Sequence, residues 1–156
     1  SQQPRQTIDK FRAIKLLVIS PTRELASQIY EEALVTTLDP VNEEWLDPSL
    51  ECLTQRRSAI VMTAYNPGTA RPTYAENEAA NQRMFDDLRS HGYDIWQADG
   101  FSADGTWREP GWLVWDMPVE AGIAIAAEYG QFAVYAFDVE GVRTVVACDA
   151  GGPKAC

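Results

Sequence analysis

From Ser58 onward the chain alternates short apolar runs with two stretches of helical spacing, and each is bounded by its own turn or cap sequence. Residues 59–65 form an apolar run closed by the turn sequence Asn66-Pro67-Gly68, the signature of a strand. Thr73 and Glu76 have capping-box spacing, in which each side chain satisfies the other's unpaired backbone N–H. The helix they open is expected to run to about His91, with Gly92 as its stop. Residues 93–97 and 112–115 read as strands, with turns at Asp99-Gly100 and Asp104-Gly105. Residues 118–129 are an Ala-rich helix with Pro118 in its first turn and Gly130 at its end. Residues 132–137 and 142–147 then pair as a hairpin around Glu140-Gly141. The order strand, helix, strand, strand, helix, strand, strand predicts an α+β fold. Its expected form is a largely antiparallel sheet with helices on one face, roughly ferredoxin-like.

The first 57 residues carry a different pattern. Residues 1–13 are polar, and residues 16–19 are an apolar run read as a buried strand. Leu25, Ala26, Ile29 and Ala33 recur at helical spacing, which predicts an amphipathic helix over 22–38, stopped by Asp39-Pro40. Residues 40–57 hold two prolines, several acids and Trp45, and read as a linker or wrapping segment. The expected organisation is an N-terminal extension over 1–57, an α+β domain over 58–149 and a short tail over 150–156.

Charge narrows the partners. The formal net charge is −10, with 13 basic against 23 acidic side chains in 156 residues. Nucleic-acid backbones are bound by clustered Lys and Arg, so nucleic acid is not an expected partner. Five bases against Asp9 alone do cluster in residues 1–23. The acidity suits a basic groove on another protein. Hydrophobic residues at 46% against 23% charged predict a packed core. No apolar run approaches the roughly 20 residues that span a bilayer, and no signal-peptide pattern is present, so a soluble cytoplasmic protein is expected. Cys52, Cys148 and Cys156 have no metal-ligand spacing, though Cys148 and Cys156 have the spacing for a short disulfide loop. His91 is the only histidine and sits at a helix end, where it suits the macrodipole. No metal and no cofactor is expected.

Two resemblances stand beside these readings. The segment 17–29, containing Pro21-Thr22-Arg23-Glu24-Leu25-Ala26, resembles the motif of DEAD-box RNA helicases in which Thr22 and Arg23 would contact the RNA backbone. The Gly-x-x-x-x-Gly-Lys-Thr/Ser phosphate loop and the Asp-Glu-Ala-Asp box that a helicase needs are both missing. An ATP-dependent helicase is thereby excluded, and the stretch reads as a well-made helix entrance. The second resemblance spans residues 60–134. It is carried by residues 63–68 (Thr-Ala-Tyr-Asn-Pro-Gly), Glu76-Asn77, Asn81, Glu109, Trp112-Leu113-Val114 and Tyr129-Gly130-Gln131. These are similar to an uncharacterised bacterial family, the domain of unknown function 3293, which implies no established activity.

The candidate site follows from the helix over 74–91. Met84, Phe85 and Leu88 mark its buried side, and Asn77 and Asn81 fall in the same arc. Buried amides left unpaired cost about 1–3 kcal/mol per group. They therefore belong either to a structural network or to the floor of a ligand pocket, with Tyr65 and Asn66 as natural partners. Glu109, flanked by Trp107, Pro110 and Trp112, is a candidate carboxylate with a raised pKa for acid–base work, or an exposed loop acid. The candidate polar pocket is Tyr65, Asn66, Asn77, Asn81, Glu109 and Gln131. Trp107, Trp112 and Trp115 read as core packing, or as an interaction surface. The sequence thus favours a non-catalytic protein-binding or inhibitor-type module. A ligand-binding domain or enzyme built on the polar pocket is the alternative, and no catalytic residue is assigned.

Overall fold

The computed structural model describes residues 31–68, 70, 72–105 and 108–148. The helicase-like segment, the strand expected at 16–19, Trp107 and Cys156 lie outside them. The elements are β1 (Leu34–Asp39), β2 (Glu44–Leu46), α1 (Pro48–Gln55), β3 (Ala59–Met62) and α2 (Tyr74–Ser90). They continue with β4 (Ile95–Phe101), β5 (Arg108–Trp115), α3 (Val119–Glu128), β6 (Ala133–Phe137) and β7 (Arg143–Ala147). All seven strands join one sheet in the order β2-β1-β4-β5-β3-β6-β7, and every neighbouring pair is antiparallel. The α+β class is as expected. From β3 to β6 each helix connects strands that are not neighbours: β5 lies between β3 and β4, and β3 lies between β5 and β6. Each unit is therefore a split β-α-β.

Strand alternation sorts the core into two layers. Ile60, Met62, Val114 and Val134 pack beneath α2 and α3 with Met84, Leu88 and Ala126. Ala59, Val61, Leu113, Trp115, Ala98 and Phe137 occupy the opposite face with Cys52 of α1. The two helices anticipated after Ser58 share one face, as expected, but α1 covers the other.

Four local readings need correction. The helix expected to reach Leu38 is over by Ala33: Glu31 and Glu32 are helical, and Leu34–Asp39 is strand β1. Val35, Thr36 and Thr37 are β-branched and pair with Gly100, Asp99 and Ala98 of β4, so sheet pairing overrides the helical spacing. The stretch 40–57 is no linker, because it holds β2 and α1. Asp47 caps α1 by accepting the Ser49 N–H (2.9 Å), and Pro48 occupies the first helical position. Asp99-Gly100 is not a turn but lies within β4, opposite Pro110 and Glu109 of β5. Finally, Trp115 is unavailable as a surface anchor, being 1% exposed. It lies edge-on to Trp96 at 5.2 Å, under the Arg57 guanidinium at 4.7 Å.

Other readings match. The α2 capping box is formed in both directions, Glu76 N–H to Thr73 Oγ1 (3.1 Å) and Thr73 N–H to Glu76 Oε1 (2.8 Å). His91 closes that helix with Nδ1 2.8 Å from the Asp87 carbonyl oxygen, and Gly92 follows at a φ of +84°.

Candidate functional site

Past Met62 the chain leaves the sheet through residues 63–68 before entering α2, and four side-chain amides hold this crossing. Asn81 and Asn77 lie one turn apart on the buried face of α2. Asn81 Oδ1 accepts the Ala64 N–H (3.0 Å), and Asn77 Oδ1 accepts the Asn66 N–H (2.9 Å). Asn77 Nδ2 donates back to Asn66 Oδ1 (3.0 Å), which makes that pairing reciprocal. Gln131 Nε2 donates to the Tyr65 carbonyl oxygen (2.9 Å). Each of these amides is at most 6% exposed. Their partners are mainly backbone groups of the crossing that sheet pairing leaves unbonded, which is the accounting a buried loop must satisfy.

The crossing is itself shaped for this. Asn66 takes a left-handed φ of +50°, a region that Asn tolerates better than most side chains. Gly130 meets the loop so closely that a Cβ there would lie 2.7 Å from Pro67 Cβ, and the Gly68 N–H donates to its carbonyl (2.9 Å). Thr63 donates to the Pro110 carbonyl (2.6 Å) and accepts the Tyr65 N–H (3.0 Å), tying the crossing to β5. Trp112 is fixed by donating its indole N–H to the Asn81 carbonyl (2.9 Å) and by packing on Phe85 at 4.8 Å.

The network reaches a carboxylate. Asn66 Nδ2 donates to Glu109 Oε2 (3.0 Å), so Glu109 is a half-buried acid of β5 held through Asn66 by Asn77, and not a loop acid. All six residues of the expected pocket are thus brought together, though not around one cavity. Glu109 and Gln131 line a cleft on the α1 face of the sheet, enclosing about 600 Å³ of empty space together with its open mouth. Its walls are mainly apolar and small, with Val61, Ala98, Gly100, Gly111 and Ala133 leaving the room. Gly111 cannot be enlarged, because a Cβ there would lie 2.3 Å from the Met62 carbonyl oxygen. Ala33 borders the same cleft and is held by Arg143, which donates to its carbonyl (2.6 Å). Burial pushes the phenol of Tyr135, another wall residue, well above its ordinary range, so it stays protonated.

Tyr65 and Asn81 face a second cleft on the α2 side, of about 840 Å³ including its mouth. Here Tyr65 donates its hydroxyl to Glu78, and Arg108 donates to the buried carboxylate of Asp99. Burial first, and the bond to Glu78 second, raise the Tyr65 phenol far above its ordinary value and keep it a donor. Glu78, Asp99 and Arg108 were not anticipated from sequence. Arg108, Pro110 and Trp112 alternate along β5 onto one face, a signal obscured once Asp99-Gly100 reads as a turn. Trp112 is partly buried beside this cleft rather than displayed on a flat surface. Among the described residues no group of three His, Cys, Asp or Glu side chains is placed to hold a metal ion. Nor is any helix there long and apolar enough to cross a membrane.

Fold and site together define an α+β protein on one antiparallel sheet, whose central crossing is pinned by an amide network that includes Glu109. Residues 62–134 match the model of the family described as protein of unknown function DUF3293, the family whose motifs the sequence resembles. The matched segment runs from the last residue of β3 into β6 and contains every residue of the network. No curated protein and no solved structure matches the chain.

Proposed function

We propose that this protein is a binding domain for a small ligand with an apolar body and a hydrogen-bond-donating head, seated in the cleft on the α1 face. The observation that carries this reading is the Asn77–Asn66–Glu109 relay. It holds a carboxylate at a mainly apolar cleft, the composition of a ligand site. The carboxylate fixes the ligand's head while the small side chains of β3 to β6 accept its body, and Gln131 adds an amide beside it. Benzyl alcohol is a suitable probe. Followed by amide NMR at up to about 10 mM, it is expected to perturb residues 98–100, 109–111 and 133–135. Ala133→Leu is expected to fill the cleft and weaken binding at least tenfold. A spectrum that benzyl alcohol leaves unchanged would remove the reading.

A second reading, protein binding, is favoured by a different observation. Leu50 and Leu53 of α1 are 59% and 47% exposed, and Val142 after the β6–β7 turn is 55% exposed. The turn abuts α1, since a Cβ on Gly141 would lie 2.4 Å from the Ser49 carbonyl oxygen and 3.6 Å from Leu53 Cβ. This apolar patch on a chain of net charge −10 suits an apolar groove with a basic rim. A partner retained at low salt is expected to be lost with Leu50→Lys and kept with Glu109→Gln. Retention of the same partner by Leu50→Lys would exclude the patch.

A further inference from the structure

The α2-side cleft differs from the apolar one in the charges and rings it presents, and the two are separated by the sheet. Among the described residues its one cationic wall residue is Arg108, which is engaged by Asp99, whose side chain is only 7% exposed. An entering anion would have to share Arg108 with Asp99 and lie close to two carboxylates, Asp99 and Glu78, whose like charge opposes it. A cation meets no such obstacle. Glu78 stands on the exposed side of the cleft, and its carboxylate accepts the Tyr65 hydroxyl. An ionised carboxylate has about four acceptor positions, so that bond leaves it able to face a second charge. The remaining wall residues include Tyr65, Tyr74 and Trp112, and aromatic faces attract cations. Trp112 is held rigid by Phe85 and the Asn81 carbonyl, so that surface is already ordered before anything binds.

We propose that this cleft binds a small organic cation, with Glu78 as the counter-charge and Tyr65, Tyr74 and Trp112 as aromatic walls. The site is independent of the ligand-binding reading for the opposite face. Choline tests it against 3,3-dimethyl-1-butanol, a neutral molecule of nearly the same shape. Both are titrated into the full chain while the Trp112 indole N–H is followed by NMR. Choline is expected to shift that resonance, and the neutral analogue to bind at least tenfold more weakly. Glu78→Gln keeps an acceptor for Tyr65 on an exposed helix face, so the fold is expected to survive. Its affinity for choline is expected to fall about tenfold, while the response of residues 98–100 to benzyl alcohol is unchanged. Three results would overturn the proposal: no choline shift at about 50 mM, equal affinity for the two molecules, or an undiminished affinity in Glu78→Gln. Displacement of choline by acetate acting at Arg108 would also count against it.

Discussion

Asn77 uses both ends of its amide on one residue, accepting from the Asn66 backbone and donating to the Asn66 side chain. Asn77→Ala therefore leaves two buried polar groups of Asn66 without those partners. The expected loss is about 1–3 kcal/mol for each group so exposed, read as a lower urea midpoint with an unchanged slope. Asn66→Val is expected to be worse than its lost hydrogen bonds alone, because a β-branched residue is strained at a φ of +50°. The asparagine pair was legible because one turn of helix carries Asn77 and Asn81 into the arc of Met84 and Leu88. The partner of Asn81 was not, since it is the backbone N–H of Ala64 and any residue type supplies one. Glu78 was hidden for a related reason: an exposed helical acid reads as surface until the fold brings the Tyr65 hydroxyl to it.

The individual elements differ in how firmly their own residues define them. Helix α2 carries a complete capping box, and Thr73→Ala is expected to lower stability by about 0.5–2 kcal/mol, measured by thermal or urea unfolding. Helix α1 is defined less by its pattern than by what it buries. Asp47 before Pro48 was a readable cap, but eight residues with two buried positions give little periodicity to weigh against an acidic, proline-bearing stretch. Its anchor is Cys52, wholly buried against the sheet. Burial, and then the nearby charges of Asp138 and Glu51, push this thiol from its ordinary 9.0 up to about 11. A raised pKa favours the protonated, folded form. The stabilisation is thus fully present below about pH 9 and is lost as pH rises through about 11. Unfolding midpoints are expected to fall more steeply between those values in the wild-type protein than in Cys52→Ala. Every other titratable group is common to the two proteins, so the difference in slope isolates the thiol. Parallel slopes would mean that α1 releases Cys52 before the sheet unfolds.

At the scale of the molecule, sequence periodicity and pairing part company. The α+β class follows from the order of elements, which is local information. The extent of the sheet does not, because β1 reaches β4 across some sixty residues, and that contact together with the β2 hairpin makes residues 34–39 a strand rather than a helix. Charge is the other global property, and it is fully legible. With 23 acids against 13 bases, mutual repulsion opposes the compact state. Two of the bases are occupied in specific pairs: Arg57 with Asp94 (3.3 Å) and Asp116 (2.8 Å), and Arg108 with Asp99. Salt acts on the two kinds of interaction with opposite sign. It screens the long-range repulsion, while it weakens exposed pairs that are each worth about 0–1 kcal/mol. Raising ionic strength from about 10 mM to about 150 mM shortens the screening length from about 30 Å to about 8 Å. That distance removes repulsion between remote acids but leaves the close pairs largely intact, so the melting temperature is expected to rise. A thermal melt series in sodium chloride measures the balance directly. A fall would show that the Arg57 and Arg108 clusters outweigh the ten excess negative charges. In that case Arg57→Gln is expected to abolish much of the salt dependence, because it removes the cation shared by two carboxylates in one step.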